Sequence, residues 1–194
     1  MRVIRLTHGA GNGVDKACLM TASNMLIGRG ADGDNNSCVC QVLRGFIVRT
    51  NDRMPESLLG ELYGPLAWEI LGTRNDDRTV MLQRADMLFR WTRDLLNENW
   101  AGSPYWATKS LDYAAGCYAE ADQATCKVVA MLALHTCSTT LGLVAGDLAE
   151  CSYASRIKNI WPLFPEIIRR VASIGDKRPV ECVIDCEQLA DALA

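Results

Sequence analysis

Apolar residues recur at helical spacing along most of the chain. Cys18, Ala22, Met25 and Leu26 share one face, which predicts a helix ending at Gly28 or Gly30, where glycine admits a left-handed C-terminal turn. Val39, Val42, Leu43, Phe46 and Ile47 form a second stripe opposite Gln41, Arg44 and Arg49, with Asn36 or Ser37 as the expected N-cap. A third helical region starts at Pro55, a good first-turn residue, and is interrupted by Gly64-Pro65 before Leu66–Leu71. The most regular pattern runs from Asp77 to Asn97. There Met81, Ala85, Leu88, Trp91 and Leu95 keep the helical period, and Asp86–Arg90 and Arg90–Asp94 are i,i+4 charge pairs on the wet side. Ser103-Pro104 opens a helix to about Glu120, and another follows from Ala121. Pro162 and Pro165 then set off a last helix whose Phe164, Ile167, Ile168, Val171 and Ile174 face inward.

Two short segments read as extended. Val180, Cys182 and Ile184 alternate with Glu181 and Asp185, and Met1 to Thr7 has the character of a strand. Pairing between them would tie the termini together, although Cys182 and Cys186 also fit one helix face. The fold expected is all-α, a compact bundle of six to eight helices with a short terminal β-ribbon as an option. With no repeat or linker, residues 1–194 are expected to form one domain.

From Val128 to Gly146 no side chain carries a formal charge, close to the length that spans a bilayer. His135, Thr136, Ser138, Thr139, Thr140 and two glycines lower its hydropathy, and no basic cluster flanks it. A buried central helix, broken near Ser138, is the reading favoured over a membrane span.

Composition narrows the class. Hydrophobic residues make up 49% and charged residues 22%, which supports an ordered core and excludes a largely disordered chain. A net charge of −3 gives the chain as a whole no electrostatic footprint for nucleic acid. The first residues lack the apolar core of a signal peptide, so a cytoplasmic protein is expected. Nine cysteines, an odd number, fit that expectation as reduced thiols serving mainly as small core residues. The dispersed arginines, among them Arg44, Arg49, Arg53, Arg84, Arg90, Arg93, Arg169 and Arg170, read as solvated helix faces.

Spacing argues against most of the candidate chemistry. Cys38-x-Cys40 is too tight for a zinc knuckle, Cys182-x3-Cys186 is the only other close pair, and His135 and Cys137 point to different helix faces. Asp32-Gly33-Asp34-Asn35-Asn36 opens like a calcium loop. It then places Ser37 where a turn glycine is needed and Leu43 where a bidentate glutamate is needed. Gly28-Arg29-Gly30-Ala31-Asp32-Gly33 and Gly9-Ala10-Gly11-Asn12-Gly13 are glycine-rich, yet neither sits in the βαβ frame of a nucleotide site. No cofactor or metal is therefore expected. The remaining catalytic candidate is Cys18, near a helix start where the dipole lowers a thiol pKa, with His8 as the nearer histidine and His135 as the other base.

The blocks Cys18-Leu19-Met20-Thr21-Ala22, Asp34 to Cys38, Asn51-Asp52-Arg53-Met54-Pro55 and Leu71-Gly72-Thr73-Arg74 are similar to a family of uncharacterised bacterial and phage proteins. The resemblance covers about residues 11–95 and carries no catalytic role. It implies a phage or mobile-element setting and marks Cys18, Cys38, Asn51, Asp52, Gly72, Thr73 and Arg74 as a motif. In scaffold terms, Asn51-Asp52 ends a helix and begins a turn, and Gly72-Thr73 stops one helix and caps the next.

The expectation that follows is a non-enzymatic protein–protein interaction module, a phage-type inhibitor of a host defence complex such as a CRISPR effector, working in the host cytoplasm. Its partner would be another protein, not a membrane. Tyr63, Trp68, Trp100, Tyr105, Trp106 and Trp161 are the candidate anchors, each also a candidate core residue. The alternatives are a cysteine-dependent enzyme using Cys18 and a zinc-stabilised adaptor.

Overall fold

The computed structural model describes residues 5–9, 16–29, 38–100, 104–156 and 158–181. Among these, two short strands, β1 (Arg5–Leu6) and β2 (Lys16–Ala17), precede eight helices. They are α1 (Leu19–Leu26), α2 (Gln41–Arg53), α3 (Glu56–Tyr63), α4 (Leu66–Glu69), α5 (Arg78–Asn99), α6 (Tyr105–Gln123), α7 (Lys127–Ala154) and α8 (Leu163–Ala172). The protein is all-α, as its periodicity predicts, with a small β element near one terminus.

That β element differs from the expected ribbon. Arg5 and Leu6 pair in parallel with Lys16 and Ala17, and Val180 and Glu181 are not in a strand. Residues 1–4 and 182–186, and the glycine-rich and calcium-like segments over 10–15 and 30–37, lie outside the described residues. The expected cap at Asn36 or Ser37 lies there too, and the residue that stands at the N-cap of α2 is Cys40.

Burial is continuous from β1 to α8. The first apolar stripe, the second stripe and the α5 stripe all enter one core, with Leu19, Met20, Ala22 and Leu26 of α1 and Val42, Leu43, Phe46 and Ile47 of α2 wholly or almost wholly buried. Its aromatic centre is Phe46, Trp91, Phe164 and Trp161. Trp91 meets Phe46 and Phe164 edge-on at 6.0 and 5.1 Å, and Trp161 tilts against Phe164 at 5.0 Å. Edge-on and tilted geometry keeps the electron-rich ring faces off one another.

α7 is the axis of the bundle, packed against α2, α5 and α6. It is continuous from Lys127 to Ala154, with no break at Ser138. Three of the four hydroxyls that lowered its hydropathy fold back onto their own helix, and that of Thr139 is buried without a hydrogen-bond partner among the described residues. Thr136 donates to the Leu132 carbonyl at 3.0 Å, Ser138 to His135 at 3.0 Å and Thr140 to Thr136 at 2.9 Å. Bonded locally, they need no water and interrupt nothing. By length and composition α7 is able to span a membrane, but half of that apolar window is buried within the bundle.

Glycines set the α2–α7 crossing. A Cβ at Gly45 would lie 2.5 Å from Ser138 Oγ, and one at Gly142 would lie 2.7 Å from the Phe46 carbonyl oxygen. Gly146 sits similarly over the Arg53 side chain, 3.0 Å from its Cγ. Arg53 then reaches across to Asp147 at 3.0 Å and Glu150 at 3.6 Å.

Candidate functional site

The motif residues separate into two clusters, and each joins parts of the chain that are distant in sequence. In the first, Cys18 is the N-cap of α1. Its Sγ accepts from the Thr21 amide at 3.4 Å and lies 3.3 Å from Thr21 Oγ1. The thiol is buried, and the gap beside it, bordered by Leu19, Ile47 and Asn51, has no room for a water molecule. His8 Nε2 donates to the Met54 carbonyl at 2.6 Å, which ties its ring to the corner between α2 and α3.

Asn51 and Asp52 lie in the last turn of α2 rather than beyond its end. The Asn51 amide donates to the Thr7 carbonyl at 3.1 Å, and its Oδ1 accepts from the Leu19 amide at 3.4 Å. Asp52 accepts from the Gly9 amide at 3.2 Å. Thr7 and Arg5 both engage Glu56, at 3.0 and 3.8 Å. The Asn-Asp pair therefore fastens the N-terminal segment to the α2–α3 corner and satisfies amides that would otherwise be orphaned.

The second cluster is built around Gly72-Thr73-Arg74. Gly72 has φ +73°, as its place after α4 suggests, and its carbonyl accepts from the Arg178 amide at 2.8 Å. Thr73 does not cap the following helix. That role falls to Asp77, which accepts from the Thr79 amide at 2.8 Å. Instead Thr73 Oγ1 accepts from the Cys40 amide at 3.1 Å and donates to the Ile70 carbonyl at 2.7 Å, capping the start of α2 from a distance. The Arg74 amide donates to the Cys38 carbonyl at 3.1 Å.

Arg84 completes this cluster and corrects the reading of it as a solvated residue. It is 0% exposed, and no carboxylate among the described residues pairs with it. Its Nη1 donates to the Thr73 carbonyl at 2.5 Å, while Nε and Nη2 converge on the Ile174 carbonyl at 3.1 and 2.5 Å. Ile174 follows the last turn of α8, where the helix dipole is negative, so carbonyls and dipole together balance the charge. A sequence signal existed: position 84 falls within the Met81, Ala85, Leu88 stripe.

A Cβ on Gly72 would overlap the Arg178 carbonyl oxygen, and its positive φ is unfavourable for any L side chain. Gly72→Ala is expected to cost about 1–3 kcal/mol by displacing residues 175–178 from the bundle. Urea denaturation measures the loss, and faster amide exchange at Arg178 reports its location.

Seven cysteines are described, and none forms a disulfide. They are not all core fillers. Cys18, Cys40, Cys117 and Cys137 are buried, Cys38 is half-buried, and Cys126 and Cys151 are exposed near the two ends of α7. The Val129 and Val128 amides at the start of α7 face the Cys126 thiol and lower its pKa, as expected for a cysteine at a helix N-cap. Burial, then the neighbouring Cys117, pushes the Cys137 thiol up to about 12. In the native protein at neutral pH, iodoacetamide should therefore modify Cys126 first and leave Cys18 and Cys137 unmodified until unfolding. Peptide mapping by mass spectrometry reads the order, and rapid labelling of Cys18 would contradict the closed geometry. Among the described residues no group of three or more His, Cys, Asp or Glu is placed to hold a metal.

His135 is half-buried between α7 and the start of α2. Burial lowers its pKa, and the nearby Arg44 and Arg49 act the same way, against a weak contact of 3.5 Å with the Gln41 carbonyl. It sits apart from the motif clusters, against Gly45.

The candidate anchors divide. Tyr63 and Trp161 are buried, and Trp100 packs half-buried on the core. Trp68, Tyr105 and Trp106 are exposed, as are Tyr113 on α6 and Val128, Val129 and Leu132 on the first turns of α7. A separate groove of about 570 Å³ runs between α5 and α8. Met87, Trp91, Ile167 and Ile174 form its apolar floor, and Asp86, Arg90, Asp94 and Arg170 line its rims. Asp86 and Arg90 pair at 2.9 Å as the spacing predicts, whereas Asp94 pairs with Arg93 at 3.6 Å and not with Arg90.

No family model matches this chain, and no curated protein or solved structure matches it significantly.

Proposed function

We propose that this chain is a non-enzymatic protein–protein interaction module, with a host defence complex as the partner class that its phage-type motif suggests. The observation that carries the reading is the set of large apolar side chains left exposed along α6 and on the first turns of α7. Tyr105 is 77% exposed and Tyr113 60% on α6, and Val128 is 63% and Leu132 59% on α7. Side chains of this size standing in water mark surfaces that another molecule covers, and aromatic residues supply most of the anchoring free energy in such contacts. The motif residues support it indirectly, because each is engaged in holding the fold and Cys18 has no space beside it for a substrate.

The test is a binding assay of the purified chain against isolated defence-effector subunits, with phage plating on a defence-proficient host. Trp106→Ala and Leu132→Asp should weaken both readouts while leaving the helical spectrum unchanged. The reading fails if the chain binds no effector subunit and protects no infecting phage.

A further inference from the structure

The groove between α5 and α8 has a length, a floor and a charge order, and together these specify what fits it. The two helices run antiparallel, since Arg84 of α5 bonds the Ile174 carbonyl just past the end of α8 while Trp91 packs on Phe164 at its beginning. Arg170 therefore stands across from Met87, between Asp86 and Arg90, and Asp94 lies toward the opposite end. From Gln83 to Asp94 the α5 wall extends about 16 Å at the helical rise, about three turns. Its apolar residues, Met87 and Trp91, are an i,i+4 pair, and the opposite wall supplies Ile167 of α8 and Ile174 just past its end.

We infer that this groove receives an amphipathic helix of a partner protein, with apolar residues at i, i+3 or i+4, and i+7 on the floor. The helix carries an acidic side chain toward Arg170 and a basic side chain toward Asp94, about 10 Å further along. Charge order is the reason for this occupant. Asp86 and Arg90 neutralise each other at 2.9 Å, so they select little. Arg170 is exposed and has no carboxylate partner among the described residues. Among the described residues, the ion-pair partner of Asp94 is its chain neighbour Arg93, at 3.6 Å. A positive point about a third of the way along and a negative point at the far end favour one direction of an incoming helix over its reverse, because like charges placed opposite each other are penalised. The floor alone would accept either direction.

This inference rests on the interaction-module reading but uses a different face from the α6–α7 surface, so the two can fail separately. The probe is a synthetic 14-residue helical peptide with leucines at the floor positions, glutamate toward Arg170 and lysine toward Asp94. A second peptide has the two charges exchanged. The first should bind the full chain about tenfold more tightly than the second at low salt, with amide shifts confined to α5 and α8. The double variant Arg170→Glu, Asp94→Lys should reverse that preference, and Met87→Glu should abolish binding of both peptides. All three positions are solvent-facing or half-buried, and a circular dichroism spectrum confirms that each variant folds.

Absence of binding by either peptide, equal binding of both, or shifts lying mainly on α6 and α7 would each overturn the inference. So would a dimer of the free chain that Met87→Glu dissociates, which would make a second copy the occupant. Effector capture that survives Met87→Glu but is lost in Trp106→Ala would also sink the groove while leaving the module reading standing.

Discussion

Arg84→Met is expected to destabilise the protein by about 3 kcal/mol, lowering the thermal midpoint by roughly 6–12 °C for a chain of this size. The substitution keeps most of the side-chain volume and removes every donor. The Thr73 and Ile174 carbonyls, which the guanidinium now satisfies, would be left buried without partners. Each orphaned acceptor costs about 1–3 kcal/mol. Part of that is offset because a buried charge no longer has to be kept out of water. Arg84→Lys keeps the charge but offers one compact donor group where two separate carbonyls must be reached, so it should recover less than half of the loss. Urea denaturation, with the slope compared to confirm that the unfolded states match, measures both variants. A loss below about 0.5 kcal/mol for Arg84→Met would show that the two carbonyls find other donors.

The second large effect is at the α2–α7 crossing. Gly142→Ala places a Cβ 2.7 Å from the Phe46 carbonyl oxygen and 3.0 Å from its Cα, both backbone atoms that no rotamer change can move aside. The helices must separate, and an expected cost of about 3 kcal/mol follows from overpacking at a site with no slack. Gly116→Ala is the matched comparison. It too replaces a helical glycine, but a Cβ there meets nothing within 4 Å. Gaining helix propensity and losing unfolded-state freedom, it should stabilise by about 0.5–1 kcal/mol. Opposite signs for one type of substitution in neighbouring helices would locate the cause in the crossing. The same sign at both positions would contradict it.

The helices were legible in the sequence because their apolar stripes are local patterns. Met81, Ala85, Leu88 and Leu95 were expected inside α5 and are buried there. Phe164, Ile167, Ile168 and Val171 do the same in α8. Legibility failed where the partner of a side chain is distant along the chain. Thr73 looked like the cap of the helix that follows it, yet its hydroxyl serves Cys40, which is 33 residues earlier. Asn51 looked like a turn former, yet it holds Thr7 across 44 residues. Ser138 looked like a helix breaker because its hydroxyl was counted as polar surface, whereas in α7 it is bonded to His135 within its own helix. The cysteines read as one class because composition does not distinguish a buried thiol such as Cys137 from an exposed N-cap thiol such as Cys126.

The candidate site shows the same division. Tyr63 and Trp106 are both aromatic residues on short apolar patterns, and only assembly sends one to the core and leaves the other in solvent. The groove between α5 and α8 was invisible in sequence, because its walls are formed by residues more than seventy positions apart.

What the sequence by itself determined is that this chain forms helices and which face of each is apolar. Backbone hydrogen bonding and side-chain periodicity act over three or four residues, and that range is written directly in the order of residues. Which polar groups would be buried, how closely α2 and α7 approach, and where Arg84 finds its carbonyls were decided by tertiary structure alone. Close packing brings together residues with no sequence relation, and the cost of leaving a buried polar group unpaired then selects the one arrangement that satisfies them.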